Sequence, residues 1–452
     1  MPKSSSIPIQ PPVPSLAGEE ARIVRKVAWR IMPLIMVCYL FAFFDRINIS
    51  FAKFALQTDL GLSDTAYGFG AGLFVVGYVL FEVPSNLMLY KVGARRWIAR
   101  IMVSWGIATA LMAFVETEWQ FYALRFLIGA MEAGFAPGVL YYLTLWFPTA
   151  YRGRITSTLF LASAFAGLLG APAAGLVLSH MDGLLTMSGW HWLFLVGGIP
   201  CVFLGFLVFK VLKDRIADAG WLTASEQTWL SARIADQNRG IGGHGHSLLG
   251  ALKTPGFLTL GLVYFLIQMS SYGLNFWAPH LIRTSGITNA TTIGFLTAIP
   301  YLCGAITMVI VGRMSDASGE RRKYVIGLML LAAAGFFSAG IFDKHTGLLI
   351  VALGVMGAGV IASIPAFWAL PPKIVTGVGA AAGIALINTM GQVGGIVSPV
   401  LVGRVKDLTG STTPALYVIG CLCLVCVAVL MFCLPDQLRK KETSTTTKQR
   451  RG

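Results

Sequence analysis

Charged residues are scarce in this sequence. They make up 12% of its 452 residues, while hydrophobic residues make up 56%; an ordinary soluble domain carries about 25% charged residues. A soluble fold of this length cannot bury that much apolar surface. Apolar stretches of about 20 residues, the length that crosses a hydrocarbon layer, recur from residue 30 to residue 434. The chain is therefore predicted to span a membrane many times, as helices.

Other absences narrow the function. No apolar run that would mark a cleavable signal peptide precedes residue 30. No nucleophile and base pair, metal-ligand set or nucleotide loop indicates an enzyme or a bound cofactor. The Cys423 and Cys426 pair has CxxC spacing but no second ligand pair nearby, so it favours helix packing. The net charge of +15 is spread over short loops, which does not favour nucleic-acid binding.

The pattern predicts an all-α membrane protein of twelve transmembrane helices in two six-helix bundles. The spans lie near residues 30–52, 66–89, 97–115, 119–143, 155–178, 190–210, 256–280, 290–312, 324–342, 346–370, 376–403 and 414–434. They follow a tail at 1–29 and form bundles at 30–212 and 255–434, with a linker at 213–254 and a basic tail at 435–452. In the linker, Thr223 and Glu226 predict the capped start of a short amphipathic helix. His244 and His246 there are more typical of solvated loop residues than of metal ligands.

Basic residues predict the topology. With both termini in the cytoplasm, the inner loops hold Lys91, Arg95, Arg96, Arg100, Arg152, Arg154, Lys213, Arg215, Arg313, Arg321, Arg322 and Lys323. The outer side then holds only Lys53, Arg283, Lys344, Arg404 and Lys406. This asymmetry follows the positive-inside rule and predicts a multi-pass protein of the plasma membrane, the inner membrane in a bacterium.

Two inner loops echo each other. The segments 86–96 and 312–322 each carry a Gly and an Arg pair at the same offset, as expected of a duplicated transporter; two unrelated basic loops are the alternative. Here the chain resembles the major facilitator superfamily, whose loops carry a Gly, Asp, Gly and paired-basic motif. The second copy has Asp316, whereas the first has Asn86 and Tyr90 at the first Gly and Asp positions. Gating residues are expected at Glu82, Asn86, Asp316 and Arg321.

Few ionisable residues lie away from the ends of the predicted spans, and all are in the first half: Asp45, Arg46, Glu82, Arg125 and Glu132. Each costs about 3 kcal/mol at the membrane centre unless it is paired. Neighbours on a helix point about 100° apart, and residues seven apart are separated by roughly 10 Å. A crosswise arrangement is therefore predicted, with Glu132 beside Arg46 and Asp45 beside Arg125.

Such a cluster suits a carboxylate cargo. The forked arginines match a carboxylate, and protonation of Asp45 or Glu132 would free an arginine for the anion. The alternative is a static network of ion pairs that fixes helix packing.

The segments 39–52, 81–86 and 125–138 resemble the anion:cation symporter branch of the superfamily, which includes tartrate, sugar-acid, phthalate and hydroxyphenylacetate permeases. The resemblance implies that Asp45 and Glu132 couple protons and that Arg46 and Arg125 support anion binding. Many relatives also have a Glu after a Phe-Leu pair in span six, and this chain has none after Phe194.

Neutral side chains are expected to complete the pocket. The candidates in the second half are Ser271, Asn275, Ser363, Trp368, Asn388 and Gln392, with Tyr39 and Tyr78 as a wall in the first half. For each one, helix packing or an interhelical hydrogen bond is the alternative.

The expected function is import of a small organic anion, such as a sugar acid, tartrate or an aromatic carboxylate, by a proton-coupled symporter that works as a monomer in lipid. Protons are the coupling ion and no other cofactor is expected. The alternative is an exchanging efflux carrier, because the segment Gly167 to Gly175 partly resembles the Gly-Pro motif of superfamily antiporters.

Overall fold

The computed structural model describes residues 16–239, 256–371 and 380–433, and these are almost entirely helical. The helices are α1 Leu16–Leu60, α2 Asp64–Val92, α3 Ala94–Leu111, α4 Glu118–Glu132, α5 Phe135–Trp146, α6 Thr149–His180, α7 Gly189–Val211, α8 Ala224–Arg239, α9 Phe257–Thr284, α10 Ala290–Ser318, α11 Arg321–Ile341, α12 Thr346–Trp368, α13 Ala380–Thr409 and α14 Thr413–Ala428.

Within those ranges, eleven helical segments are long and apolar enough to cross a membrane, with α4 and α5 counted as one. Helix α6 has 32 residues and supplies the twelfth span. The twelve-helix prediction is therefore confirmed. Two boundaries were wrong: α1 begins at Leu16 and not near residue 30, and span four is broken near Gly134.

Local sequence explains where several helices begin and end. The Ser63 side chain accepts a hydrogen bond from the Ala66 N–H and caps α2, while Thr117 and Gln120 form a capping box at α4. Gly93 and Gly319 stand at the same offset in the two repeated loops. Each adopts a positive φ, 97° and 69°, that lets the chain turn sharply into the next helix. The shared glycine therefore has a backbone role in both loops.

The linker helix α8 forms as predicted. The Glu226 carboxylate accepts the Thr223 N–H at 2.9 Å, and the Thr223 hydroxyl accepts the Glu226 N–H at 3.3 Å. Glu226 also contacts Lys26 of α1 at 2.7 Å. His244 and His246 lie outside the described residues.

The two halves contact each other through two equivalent helix pairs. Helix α2 packs on α13, and α6 packs on α10. Helices α2 and α13 are spans two and eleven, and α6 and α10 are spans five and eight. Because span two corresponds to span eight, and span five to span eleven, the two contacts are equivalent. We call the end with the repeated basic loops the basic end, and the opposite end the distal end.

Candidate functional site

Arg46 of α1 and Glu132 of α4 form an ion pair between the helices. The Arg46 Nη2 lies 2.6 Å from Glu132 Oε1, and its Nε donates to the same oxygen at 3.1 Å. The Glu132 side chain is 1% exposed, whereas that of Arg46 is 29% exposed. The second oxygen of Glu132, Oε2, is buried without a hydrogen-bond partner. This half of the predicted crosswise pairing is confirmed, and the pair borders accessible space on the arginine side.

A break in span four positions Glu132. Helix α4 ends at Glu132, and Gly134 adopts a left-handed conformation with φ 85° before α5 begins. The Ser85 hydroxyl donates to the Ala133 carbonyl at 2.6 Å and satisfies a backbone group that the break leaves free. A Cβ at Gly134 would lie 2.4 Å from the Ser85 Oγ, so only glycine fits there. Sequence reasoning treated this region as one continuous span and missed the break.

Aromatic rings surround the Arg46 guanidinium. Its carbon lies 5.5 Å from the ring centres of Phe43 and Phe74, and 5.4 Å from that of Tyr78. Rings at this distance stabilise a cation through their negative faces. Tyr39 stacks obliquely on Phe43 behind them and is buried. The predicted placement of Tyr39 and Tyr78 as a wall agrees with this geometry.

Asp45 occupies a different, drier environment. It is 2% exposed, and its Oδ2 accepts a hydrogen bond from the Trp105 indole at 3.0 Å. Arg125 interacts with it electrostatically but forms no ion pair with it within 4.0 Å, and instead lies 4.9 Å from the Phe74 ring. Its Nε has no hydrogen-bond partner. The predicted direct Asp45 and Arg125 pairing was therefore wrong, because Trp105 holds the carboxylate.

Polar groups from the second half face this cluster. The Tyr272 hydroxyl donates to Gln392 Oε1 at 3.0 Å, and Tyr272 lies within electrostatic range of Arg46. The Tyr301 hydroxyl donates to Asn275, whose amide donates to Ser271 at 3.4 Å. Tyr272 with Gln392, and Tyr301 with Asn275 and Ser271, thus form two hydrogen-bonded groups, which we together call the polar wall. The sequence analysis missed both tyrosines. Tyr272 lies on α9 beside the candidate Ser271, and Tyr301 lies on α10 and contacts the candidate Asn275 of α9.

Two further predicted pocket residues have contacts within the second half. Ser363 is fully buried, and its hydroxyl donates to the Val360 carbonyl of its own helix at 2.7 Å. Trp368 packs on Tyr264 with ring centres 4.9 Å apart, so it belongs to an aromatic cluster. The role of Ser363 and Trp368 as cargo ligands stays a prediction. Asn388 is half-buried on α13, one turn from Gln392.

The predicted gating residues lie on α2, α10 and α11. The Asn86 amide donates to the Glu82 carbonyl one turn earlier in α2. Arg321 is the first residue of α11, and the side chain of Asp316 lies outside the described residues. Their gating role stays a prediction.

Lys53, which the count of basic residues assigns to the outer side, is a buried cation. Its side chain is fully buried in α1, with Nζ 2.7 Å from Asp64 Oδ1 and 3.4 Å from the centre of the Trp277 ring. Because Lys53 stands between apolar residues near the end of a long helix, its position in a loop or in the bundle depends on where the helix ends. Helix α1 continues to Leu60, so Lys53 lies within the helix and is buried in the bundle.

The Asp64 carboxylate links the two halves at the distal end. Asp64 Oδ2 lies 2.9 Å from Lys406 Nζ of α13, and the Asp407 carboxylate accepts the Asp64 and Thr65 N–H groups at 3.1 and 2.7 Å. We call Lys53, Asp64, Lys406 and Asp407 the distal latch. Beside it, the Cβ that Gly68 lacks would lie 2.3 Å from the Pro399 carbonyl oxygen. The distal end is therefore tightly closed.

Comparisons with known proteins agree with this architecture. The chain matches the Major Facilitator Superfamily over residues 35–290 and 260–451. It is 43% identical to a proposed tartrate transporter of Agrobacterium vitis, covering 94% of each chain. It is 39% identical to a quinolone resistance transporter of Acinetobacter baumannii, covering 95% of this chain and 99% of that protein.

Among solved structures, the chain is similar to a D-xylose-proton symporter at 16% sequence identity, with a TM-score of 0.75 over 91% of this chain and 99% of that one. That similarity concerns the fold. The family match and the relatives, together with the twelve-helix architecture, show that this chain is a multi-pass membrane transporter that belongs to the major facilitator superfamily.

Proposed function

We propose that this protein is a symporter that imports a small organic anion, of the tartrate, sugar-acid or aromatic carboxylate class, together with protons. The observation that carries this proposal is the ion pair between Arg46, which is partly exposed, and Glu132, which is buried with one unpartnered oxygen. The relative named for tartrate transport supports the cargo class.

The coupling follows from competition for one guanidinium. When Glu132 is ionised, it occupies Arg46 and satisfies the cation. A proton on Glu132 weakens that pair, and the forked guanidinium of Arg46 then binds the carboxylate of the cargo. Because a charge without a partner is costly in a membrane interior, either a proton and the anion are both present or the internal pair re-forms.

Asp45 supplies a second proton site that does not touch the cargo. It is held by Trp105 and lies near Arg125, and both charged groups are almost fully buried. Its ionisation therefore changes the charge balance around Arg125 without blocking Arg46. In this scheme the protonation of Glu132 changes when the cargo binds Arg46. The protonation of Asp45 changes through electrostatic interactions within the cluster.

The wall of Tyr272, Gln392, Asn275 and Tyr301 supplies neutral hydrogen-bonding groups opposite the arginine. Hydroxyl and amide groups can both donate and accept. A cargo with hydroxyl groups beside its carboxylate fits such a wall, which favours hydroxy acids and sugar acids within the proposed class.

We place both termini in the cytoplasm of a plasma membrane, with the basic end inside. The distal latch then closes the outer side, and the accessible space beside Arg46 opens toward the cytoplasm. The arrangement corresponds to the stage of an alternating-access cycle at which cargo leaves or re-enters on the inner side. The protein is proposed to act as a monomer.

The central test uses purified protein in liposomes with an acidic exterior. A thermal-shift screen of tartrate, sugar acids and aromatic acids first identifies a binding anion. Glu132→Gln and Asp45→Asn are each expected to abolish accumulation driven by the proton gradient, while at least one still exchanges labelled for unlabelled cargo. The exposed Glu118→Gln variant is the control. Full gradient-driven accumulation in both variants would refute the coupling scheme.

Efflux by exchange is the second candidate, since a quinolone resistance transporter is also a relative. In the structure, however, the glycines of the Gly167–Gly175 segment have a packing role: a Cβ at Gly175 would lie 2.4 Å from the Ala290 carbonyl oxygen of α10. Acid on the outside should drive accumulation if the protein is an importer, whereas an exporter would release preloaded cargo against its gradient under the same condition.

A further inference from the structure

A groove on the lipid-facing surface lies between α3 and α7, close to the basic end. Its volume is about 440 Å³. Apolar side chains form its walls, among them Ile107 and Phe206, which are 48% and 62% exposed. Gly205 brings α7 so close to α3 that an added Cβ would lie 2.6 Å from Val103, and this contact forms the floor. The groove is therefore open toward the hydrocarbon layer and has the lining of a site for an acyl chain.

Two arginines, Arg96 and Arg100, stand at one end of this groove. Arg100 lies six residues, about 9 Å, inside the start of α3, which places its backbone within the span. Its guanidinium lies 3.9 Å from the centre of the Trp97 ring, and it donates to two weak acceptors, Ser104 Oγ at 3.5 Å and Met131 Sδ at 3.8 Å.

Arg100 has no carboxylate within 4.0 Å among the residues that the structure describes, and its Nε is buried without a hydrogen-bond partner. Asp214, which lines a neighbouring pocket with Arg96, is engaged by Arg95: it accepts the Arg95 N–H at 2.9 Å and lies 3.7 Å from the Arg95 side chain. An arginine without an anionic partner costs about 2.5–3.5 kcal/mol at the centre of a span, and Arg100, nearer the helix end, bears part of that cost. An external anion would remove that penalty.

We propose that this groove binds an anionic phospholipid, with its phosphate held by Arg96 and Arg100 and an acyl chain lying along Val103, Ile107 and Phe206. A free phosphate would satisfy the arginines but leave the apolar groove unfilled. A zwitterionic lipid would fill the groove but bring its own cation to the arginines. The combination of underpaired arginine and adjoining apolar groove selects a lipid that is both anionic and acylated, as basic pockets between membrane helices do.

The site is separate from the transport cluster, because Arg100 faces the lipid side of α3, whereas Trp105 of the same helix contacts Asp45 inside the bundle. The lipid-binding proposal therefore does not depend on the identity of the cargo or on proton coupling.

The test measures lipid binding to the full-length protein in detergent by native mass spectrometry. Phosphatidylglycerol is added in competition with phosphatidylcholine of the same acyl chains. The wild-type protein is expected to retain phosphatidylglycerol at least fivefold over phosphatidylcholine. Arg96→Gln and Arg100→Gln should each reduce that preference at least threefold, and Arg100→Lys should reduce it less. The exposed Arg154→Gln variant at the same end is the matched control and should bind like the wild type.

A groove-filling variant tests the second element independently. Ile107→Trp keeps both arginines, and because Ile107 is exposed, the change does not disturb the core. It should weaken phosphatidylglycerol binding, while inorganic phosphate at millimolar concentration should not displace the lipid from the wild type. Equal retention of the two lipids, an unchanged preference in Arg100→Gln, a loss as large in Arg154→Gln, or displacement by inorganic phosphate would each overturn the proposal.

Discussion

A carboxylate in a membrane interior needs a donor when it is charged, and Asp45 has one in the Trp105 indole. Glu132 has a cation instead, and Lys53 has both a carboxylate and an aromatic ring. Each buried charge thus has a different kind of partner, and the partner determines what the charge can do. A group held by a neutral donor can change protonation without releasing an arginine, whereas Glu132 cannot.

Trp105→Phe tests the role of that donor. The substitution removes a hydrogen bond to a charged group, worth about 1.5–3 kcal/mol, while it keeps most of the ring volume. We expect accumulation driven by a proton gradient to fall about tenfold, because ionised Asp45 loses its stabilising donor, with little change in the affinity for cargo. Uptake and equilibrium binding are measured on the same preparation. Trp119→Phe, at a position that is 80% exposed, is the control.

An unchanged ratio of gradient-driven uptake to cargo binding in Trp105→Phe would show that the indole serves only packing.

Helix α2 packs closely on α13, yet the two helices can separate. Its distal half has small residues where α13 approaches, and a Cβ at Gly68 or Gly72 would lie 2.3 or 3.2 Å from a backbone oxygen of that helix. Close approach through glycines needs no interlocking side chains, so the contact can part without disrupting the core of either half. Alternating access requires such an interface.

Gly68→Ala should therefore disfavour the distally closed state, since the added methyl group meets the Pro399 carbonyl oxygen and α2 must move away from α13. Pulsed EPR distances between spin labels at the exposed distal positions Thr58 and Lys344, in a cysteine-free background, should show a longer population. Gly312→Ala is the matched control, because its Cβ would meet nothing within 4 Å. Identical distance distributions for wild type and Gly68→Ala would contradict this account.

The Glu226 carboxylate links the linker helix α8 to α1 at the shortest ion pair between them. The hydrogen bond from Lys26, and then that from the Thr223 N–H, lower the pKa of Glu226 below its usual value. A lowered pKa in the folded protein means that the contact contributes its full stabilisation above the ordinary glutamate pKa of about 4.3, and loses it as the pH falls through the lowered value.

Glu226→Gln should consequently increase amide hydrogen exchange in 224–239 at pH 7, and the difference from wild type should shrink under acidic conditions. Ser225→Ala, which keeps the capping pair, serves as the control. Equal protection of the helix in wild type and Glu226→Gln at pH 7 would show that the ion pair does not hold it.

At the level of the whole molecule, the distal latch makes closure depend on charge balance between the halves. Asp64 neutralises Lys53 from its own half and Lys406 from the other half. Removing one member of a buried ion pair costs about 3–5 kcal/mol, because the remaining charge is left without compensation. Removing Asp64 alone is therefore expected to destabilise the closed state, because both lysines lose the carboxylate that compensates them.

Asp64→Asn should open the distal end, since two lysines then face each other in the closed state. In Asp64→Asn with Lys53→Met, the buried cation is gone and closure should be largely restored, because Lys406 is 20% exposed and can be hydrated. The same spin-label pair reports both variants. A double variant as open as the single one would show that the latch acts by shape and not by charge.

Much of this protein was predictable from its sequence. Apolar runs, the positive-inside asymmetry and the repeated loops specify twelve helices in two halves, because a membrane leaves few other ways to satisfy the backbone. The scarcity of intramembrane charges points directly to Asp45, Arg46, Arg125 and Glu132, and the pairing of Arg46 with Glu132 followed from helix geometry.

Only the tertiary structure decided which neighbours these groups have. Trp105 and not Arg125 holds Asp45, Tyr272 and Tyr301 complete the polar wall, and Lys53 is buried with Asp64. Helical periodicity gives the face on which a residue lies, but not the rotation and depth at which two helices meet. Those depend on close packing between segments far apart in the chain, which no local pattern records.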